Sequence, residues 1–327
     1  MQADPASAAD DHGSNTASAA LFIIINPGSG AAEAQEKREV LARVFNEAGR
    51  THRFVAVAAP GELEGATEKA AVEAVAAGGI LVAVGGDGTI NTVAAAAQRH
   101  GCVLGVLPQG TFNLFGRSHG ISQDIETAAR ALARGKPVPV QAGEVNGRLF
   151  LVNASLGLYP QLLQDRESFK KQFGRHRWVA ILSGLVTLFE WRRQLTLEIE
   201  TGGVRTVLTT PTLFVGNNRL QLERIGIDEV MAAQVGQGQL AAIVARPIGT
   251  LAMLGLLLRG AFGTLGEADQ VQSFAFQNLT VRVPRMRRLK IATDGEVGVI
   301  TPPLRFAVSS RPLMLVVPRS EDRVPVE

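Results

Sequence analysis

Short apolar runs alternate with longer mixed stretches through the first third of the chain. Four runs at residues 21–25, 53–58, 80–84 and 103–107 are predicted to be strands, and three of them are apolar throughout. Apolar runs of this length are typical of parallel strands buried on both faces. The stretches between them, residues 31–49, 62–77 and 90–99, have the composition of helices. This alternation predicts an α/β domain, with a parallel sheet and helices on both faces.

The pattern changes after Gly135, where strand-like runs dominate. Such runs are typical of an antiparallel sheet or sandwich. The predicted strands lie at residues 149–154, 195–200, 204–209, 211–215, 239–245, 271–276, 279–283, 304–308 and 313–317. Two helical inserts are predicted at residues 171–193 and 248–263.

These elements predict two domains between short tails. A tail of 1–19 precedes an α/β domain at 20–138, and a mainly antiparallel β-sandwich domain follows at 139–303. We expect a late strand within 304–318 to pack back on the first domain. Residues 319–327 form the second tail.

Composition narrows the class of protein. The chain has 327 residues, 46% of them hydrophobic, and a formal net charge of +3. The small net charge gives no general electrostatic argument for nucleic acid. The single cysteine, Cys102, cannot form an intrachain disulfide and lies in an apolar run, so we expect a buried thiol in a cytoplasmic protein. Residues 178–191 and 248–265 are too short or too interrupted to span a membrane, which leaves a soluble or peripheral protein.

Three glycine-rich turns, at residues 26–30, 85–89 and 108–113, each follow a predicted strand. In a parallel sheet such turns share the edge at which ligands bind. Glycines let the backbone approach a phosphate, and consecutive N–H groups attract anions. Ser29, Thr89 and Thr111 would add hydroxyl donors. Any one turn alone could be an ordinary strand-to-helix connection, but three in one sheet favour a phosphate site.

The turns carry a family resemblance. Residues 26–30 (Asn-Pro-Gly-Ser-Gly) resemble the NPxSG motif of the diacylglycerol kinase catalytic family, which includes sphingosine, ceramide and bacterial lipid kinases. Residues 85–91 resemble its GGDGT motif, residues 107–113 its LPxGTxN motif, and residues 293–296 its late DGE motif. GGDGT alone also occurs in NAD kinases and phosphofructokinases, whereas the four motifs together are specific.

The resemblance implies an ATP- and Mg²⁺-dependent kinase that phosphorylates a lipid hydroxyl, with an NAD kinase-like first domain. It places Asp87 near the phosphates and Mg²⁺. It makes Asp294 the first choice for general base and Glu296 the second, since phosphoryl transfer to an alcohol needs a carboxylate near the attacking oxygen. The nucleotide would be held by Asn26, Ser29, Gly30, Gly85, Gly86, Asp87, Gly88, Thr89, Asn91 and Thr111.

The sequence departs from the family at three points. Leu114 follows Asn113 where many members have aspartate, and a threonine common after the second strand is missing near residues 57–59. The aspartate-rich turn that holds a structural Mg²⁺ in some members reads Gly-Gln-Gly-Gln at 236–239. Because hard cations need oxygen ligands, usually carboxylates, we expect that metal site to be absent. Asp228 and Glu229 are weak substitutes because they are offset in sequence.

A lipid kinase must reach a bilayer, and two segments suit an anionic membrane. Residues 170–193 combine basic residues with a tryptophan at each end of an apolar stretch. A second basic cluster comprises Arg282, Arg285, Arg287, Arg288 and Lys290. The alternatives are a core helix with solvated ends and a solvated hairpin. The sequence predicts no nucleic-acid partner and leaves a homodimer open.

Two other functions remain open. One is a kinase of a soluble acceptor, as in NAD kinases, and the NPxSG and LPxGTxN motifs argue against it. The other is a non-catalytic nucleotide or lipid sensor, against which Asp87, Asp294 and Glu296 argue. The identity of the lipid is not readable from the sequence.

Overall fold

The computed structural model describes residues 18–26, 30–158, 160, 194–247, 255, 259, 264 and 268–326. The predicted helix at 171–193 lies outside the described residues, as does nearly all of the one at 248–263. None of the helices in the described ranges is long and apolar enough to cross a membrane.

The chain forms two compact units. Unit 1 comprises the residues up to Val140 together with those from Ser310 onward, and unit 2 runs from Gln141 to Ser309.

Unit 1 is built on a six-stranded sheet with helices between its strands. Its strands are β1 (Leu21–Ile25), β2 (His52–Val55), β3 (Ile80–Gly85), β4 (Val103–Pro108), β5 (Lys136–Val140) and β18 (Leu313–Val317). Its helices are α1 (Ala31–Glu47), α2 (Leu63–Ala76), α3 (Asp87–His100), α4 (Leu114–Ser118) and α5 (Ile125–Arg134).

The sheet of unit 1 has the order β2-β1-β3-β4-β18-β5. Strands β1 to β4 are mutually parallel, and β18 is parallel to β4 and antiparallel to β5. Every residue of β1 is buried, which explains its wholly apolar sequence. The predicted parallel sheet is confirmed, and its carboxyl-end edge carries Asn26 and the second and third glycine-rich turns.

Two differences from the predicted elements affect the second and third glycine-rich turns. Helix α3 begins at Asp87 rather than at residue 90, so the second turn leads directly into a helix N-terminus. Helices α4 and α5 were not predicted. Helix α5 is capped by Asp124, whose side chain accepts a hydrogen bond from the Thr127 N–H.

Unit 2 consists of two antiparallel six-stranded sheets, and the described part of this unit also contains two short helices, α6 (Arg219–Arg224) and α7 (Glu229–Gln234). One sheet contains β6 (Gly143–Val145), β7 (Arg148–Phe150), β9 (Leu195–Thr201), β10 (Val204–Thr210), β14 (Asn278–Arg282) and β17 (Leu304–Val308). The other contains β8 (Asn153–Gly157), β11 (Thr212–Gly216), β12 (Leu240–Ala245), β13 (Val271–Phe276), β15 (Leu289–Thr293) and β16 (Glu296–Ile300).

The two sheets share one hydrophobic core. Buried side chains from both, including Phe150, Phe306 and Ile291, belong to a single cluster. The predicted antiparallel sandwich is therefore confirmed. The single predicted strand at residues 149–154 was wrong, because residues 151 and 152 form a bend between β7 and β8.

Candidate nucleotide and catalytic sites

Two glycine-rich turns of unit 1 pack directly against each other. A β-carbon at Gly110 would lie 2.7 Å from the Cα of Gly86. One at Gly85 would lie 2.8 Å from the Thr89 side chain. These glycines are thus required for backbone packing, and they leave the N-terminus of the 14-residue helix α3 beside the turn after β4. Helix N-termini of this kind attract phosphate.

Asn113 organises the third turn. Its side chain is almost fully buried, and its backbone is left-handed with φ 50°. Its Oδ1 accepts a hydrogen bond from the Gly110 N–H at 2.7 Å, while its Nδ2 donates to the Gly110 carbonyl at 2.8 Å and to Gln123 Oε1 at 3.1 Å. The sequence analysis placed this residue in a motif but missed its role. The signal was an asparagine two residues after Thr111 in a turn, a residue type that tolerates positive φ.

Asp87 joins the second and third turns. Its Oδ2 accepts a hydrogen bond from the Asn113 N–H at 3.1 Å. Burial raises the pKa of the Asp87 carboxyl, while the backbone N–H groups of Asn113 and Leu114 oppose this shift. Its other oxygen, Oδ1, is buried and has no hydrogen-bond partner in the described structure. A buried carboxylate oxygen without a partner in the described structure fits a Mg²⁺ ligand, since this ion prefers oxygen donors.

The first turn contacts the second. Asn26 follows β1, and its Nδ2 donates to Thr89 Oγ1 at 2.9 Å. Gly30 is the N-cap of α1 with φ 104°, a backbone conformation that favours glycine. Ser29 lies outside the described residues. The predicted proximity of the turns is thus seen for Asn26 and Thr89.

The other predicted nucleotide residues are more peripheral. Thr111 is exposed in the turn after β4. Gly88 and Asn91 lie in the first part of α3 and are half-buried.

A groove of about 590 Å³ lies between β2 and α2. Val55 and Ala56 form one wall, and Gly65, Ala66 and Lys69 of α2 form the other. Val55 is the partner of Ile24 in the parallel register of β1 and β2. One end of the groove, at Val55, therefore lies level with Ile24 near the carboxyl end of β1.

The DGE turn lies in unit 2, between β15 and β16. Asp294 has φ 48° and uses both carboxylate oxygens to bind the bend between β7 and β8. Its Oδ2 accepts from the Leu151 N–H at 2.7 Å, and its Oδ1 accepts from the N–H groups of Val152 at 2.8 Å and Asn153 at 2.9 Å. These three bonds explain why the bend does not continue as a strand. They fix the DGE turn to the segment at 151–153.

Glu296 is the first residue of β16 and is exposed. It is paired with Thr293 in the β15–β16 register. Its carboxylate is thus held at the same turn as Asp294 but reaches solvent.

The described residues contain no group of three or more His, Cys, Asp or Glu side chains that could hold a metal. Asp228, one of the two weak substitutes, instead caps α7 by accepting from the N–H groups of Val230 and Met231 at 2.9 and 3.2 Å. Its carboxylate is therefore accounted for by helix capping.

Comparison with known proteins identifies the class. Residues 20–145 match the family model of the diacylglycerol kinase catalytic domain. The chain is 28% identical to the diacylglycerol kinase of Bacillus subtilis (strain 168), over 91% of this chain and 96% of that protein. It is 37% identical to a protein of Pseudomonas aeruginosa PAO1 named "Probable lipid kinase YegS-like", over 49% of this chain and 48% of that one.

Solved structures show the same fold. That of a diacylglycerol kinase from Bacillus anthracis str. Sterne covers 91% of this chain and 96% of its own, with a TM-score of 0.64 and 16% identity. Residues 20–145 of the chain are thus similar to the diacylglycerol kinase catalytic domain. The predicted resemblance to this family is therefore confirmed over these residues, and the names of the relatives support the predicted lipid kinase.

Proposed function

We propose that this protein transfers the γ-phosphate of ATP to the hydroxyl group of a membrane lipid such as diacylglycerol, a sphingoid base or ceramide. The observation that carries the proposal is the contact network of the glycine-rich turns. At one edge of the sheet, hydrogen bonds join Asn26 to Thr89 and Asp87 to Asn113. The motifs that these residues come from lie up to 87 positions apart in the sequence (113 − 26).

This edge suits an ATP phosphate chain and its Mg²⁺. Gly85, Gly86 and Gly110 let the second and third turns pack closely, and the start of α3 supplies N–H groups for a phosphate. Asp87 would bind Mg²⁺ through its unpartnered Oδ1. The bound ion would neutralise charge on the phosphates.

The groove between β2 and α2 is our candidate for the nucleoside part of ATP. Its Val55 end lies level with Ile24, two residues before Asn26 in the chain. Small residues, Gly65 and Ala66, keep it open. Lys69 is an exposed cation on its wall.

The proposed reaction is a single displacement. The lipid hydroxyl oxygen attacks the γ-phosphorus, the bond from phosphorus to the bridging oxygen breaks, and ADP leaves. A carboxylate of the DGE turn accepts the hydroxyl proton. Asp294 already accepts three backbone hydrogen bonds out of about four acceptor positions of a carboxylate. Glu296, which is exposed, is therefore a base candidate of equal standing.

A transfer assay tests the proposal. The protein is incubated with labelled ATP and Mg²⁺ and with mixed micelles of diacylglycerol, sphingosine or ceramide, and NAD serves as a soluble acceptor. We expect label in one lipid and none in NAD. Label in NAD alone would favour a soluble-acceptor kinase, and no transfer with retained ATP binding would favour a sensor.

A basic loop in unit 2 supports contact with an anionic membrane. Arg285, Met286, Arg287 and Arg288 are all exposed between β14 and β15, and the three arginines form no ion pair within the described part of the chain. Arg282 differs, because it pairs with Glu200 at 2.9 Å. Exposed arginines beside an exposed methionine suit an anionic bilayer surface. The other predicted membrane segment, 170–193, lies outside the described residues.

Vesicle binding tests this contact. We expect the double variant Arg287→Glu and Arg288→Glu to bind vesicles of anionic phospholipid less than wild type at low salt. Lys136→Glu with Arg246→Glu makes the same charge change elsewhere on exposed positions and serves as the control. Equal binding by both double variants would contradict a role for the loop.

A further inference from the structure

The side chain of Gln141 joins three segments of unit 2. Its Nε2 donates to Asn217 Oδ1 at 2.8 Å and to the Gln239 carbonyl at 2.9 Å. Its Oε1 accepts from the Gly238 N–H at 2.8 Å. One neutral amide thus closes the turn at 236–239 and ties it to the end of β11.

Asn217 extends this contact to the segment held by the DGE turn. Its side chain is buried, and its Nδ2 donates to the Leu151 carbonyl at 2.9 Å. Its backbone N–H donates to the Val152 carbonyl at 2.8 Å. Asn217 therefore binds the carbonyl groups of the segment whose N–H groups are bound by Asp294. A continuous chain of hydrogen bonds runs from the 236–239 turn through Gln141 and Asn217 to Asp294.

The turn at 236–239 stands where the family pattern places the aspartate-rich turn that holds a structural Mg²⁺ in some members. The residues here do not fit a metal. The turn has no carboxylate, and both polar atoms of Gln141 are engaged with protein groups. Mg²⁺ prefers carboxylate oxygens that are open to it.

We propose that Gln141 and Asn217 are positioning residues that hold the DGE turn by hydrogen bonds, in place of a structural metal. The inference rests on the proposed kinase function, because it assigns the chemistry to the DGE turn. An amide suits the position because it donates and accepts at once. A carboxylate at 141 has no donor and would face two oxygen acceptors, Asn217 Oδ1 and the Gln239 carbonyl.

The test compares Gln141→Glu with Gln272→Glu, the same change at an exposed position of the same unit. We expect Gln141→Glu to lower kcat for lipid phosphorylation about tenfold or more, as misplaced catalytic groups do. The KM for ATP should stay unchanged, because the nucleotide turns lie in unit 1. Gln272→Glu should leave both constants unchanged. Gln141→Met, which removes the hydrogen bonds without adding a charge, should also lower kcat and keeps the test valid if Gln141→Glu fails to fold.

Hydrogen exchange gives a readout that does not depend on activity. The N–H groups of Leu151, Val152 and Asn153 should exchange faster in Gln141→Met than in wild type. The Tm of the nucleotide-free protein should be the same in Mg²⁺ and in EDTA. Wild-type exchange and kcat in Gln141→Met, or a Tm that falls in EDTA, would overturn the proposal. Absence of transfer by the wild type, with faster exchange in the variant, would instead refute the kinase function and leave the hydrogen-bond chain standing.

Discussion

At the scale of single residues, the buried polar side chains of unit 1 join the motifs. Asn113 makes three side-chain hydrogen bonds within the turn region and offers its N–H to Asp87. The motif spacing predicted that the turns share an edge. The particular bonds could not be predicted, because they depend on the left-handed backbone at Asn113, which the local sequence permits but does not require.

Replacing Asn113 separates two contributions to stability. Asn113→Gly removes the side chain but keeps the positive φ, and we expect a loss of about 2 kcal/mol in the free energy of unfolding from the missing hydrogen bonds. Asn113→Ala should lose about 1 kcal/mol more, because alanine is strained at φ 50°. Urea unfolding measures both. Equal stability of the two variants would contradict the strain, and wild-type stability of both would contradict the hydrogen bonds.

His119 should make the stability of unit 1 depend on pH. Burial, with a contribution from Arg323, lowers the pKa of His119 to about 4, and its ring packs edge-on against Phe115 at 4.8 Å between centroids. In the unfolded chain a histidine has a pKa of about 6.5. Between these values the unfolded state binds a proton that the folded state does not, so stability falls as the pH drops through this window.

The measurement compares wild type with His119→Gln. From pH 7 to pH 5, the Tm of the variant should fall less than that of wild type. An equal fall would exclude His119 as a source of the pH dependence.

At the scale of elements, the apolar runs predicted the buried strands of unit 1 well, because a strand covered on both faces leaves little room for polar residues. Shorter elements were missed. Asp124, which caps helix α5 by accepting a hydrogen bond from the Thr127 N–H, was the sequence signal for that helix. The bend at 151–152 has a strand-like apolar sequence, but its N–H groups bind Asp294, about 140 residues away in sequence.

Helix α2 offers a test of the nucleoside groove. A β-carbon at Gly65 would meet nothing within 4 Å, so a larger side chain fits there. Gly65→Leu should fill the groove while favouring the helix, by up to about 1 kcal/mol. We expect a higher KM for ATP, an unchanged KM for lipid, and a Tm that does not fall. Gly65→Ala, which scarcely fills the groove, is the matched control, and an unchanged KM for ATP in Gly65→Leu would remove the groove from the nucleotide site.

At the scale of the whole molecule, the residues with a proposed role divide between the two units. The nucleotide turns belong to unit 1, and the DGE turn belongs to unit 2. The sequence predicted both sets by motif. It could not reveal that Asp294 binds three backbone N–H groups, since a motif gives residue types and order but not their partners across the fold. Because of these bonds, we expect substitution of Asp294 and substitution of Glu296 to have different effects on stability and activity.

Asp294→Asn and Glu296→Gln distinguish an anchor from a base. Asparagine keeps one oxygen but turns an NH₂ group toward backbone N–H groups, so Asp294→Asn should lower the free energy of unfolding by about 2 kcal/mol and speed exchange at 151–153. Glu296 is exposed, so Glu296→Gln should leave the Tm unchanged. If Glu296 is the base, Glu296→Gln should lower kcat about a hundredfold or more while the stability stays intact. Both variants should bind ATP like wild type, because the nucleotide turns lie in unit 1. Full transfer by Glu296→Gln, together with no transfer by a stable Asp294→Asn, would assign the base to Asp294, as the sequence first indicated.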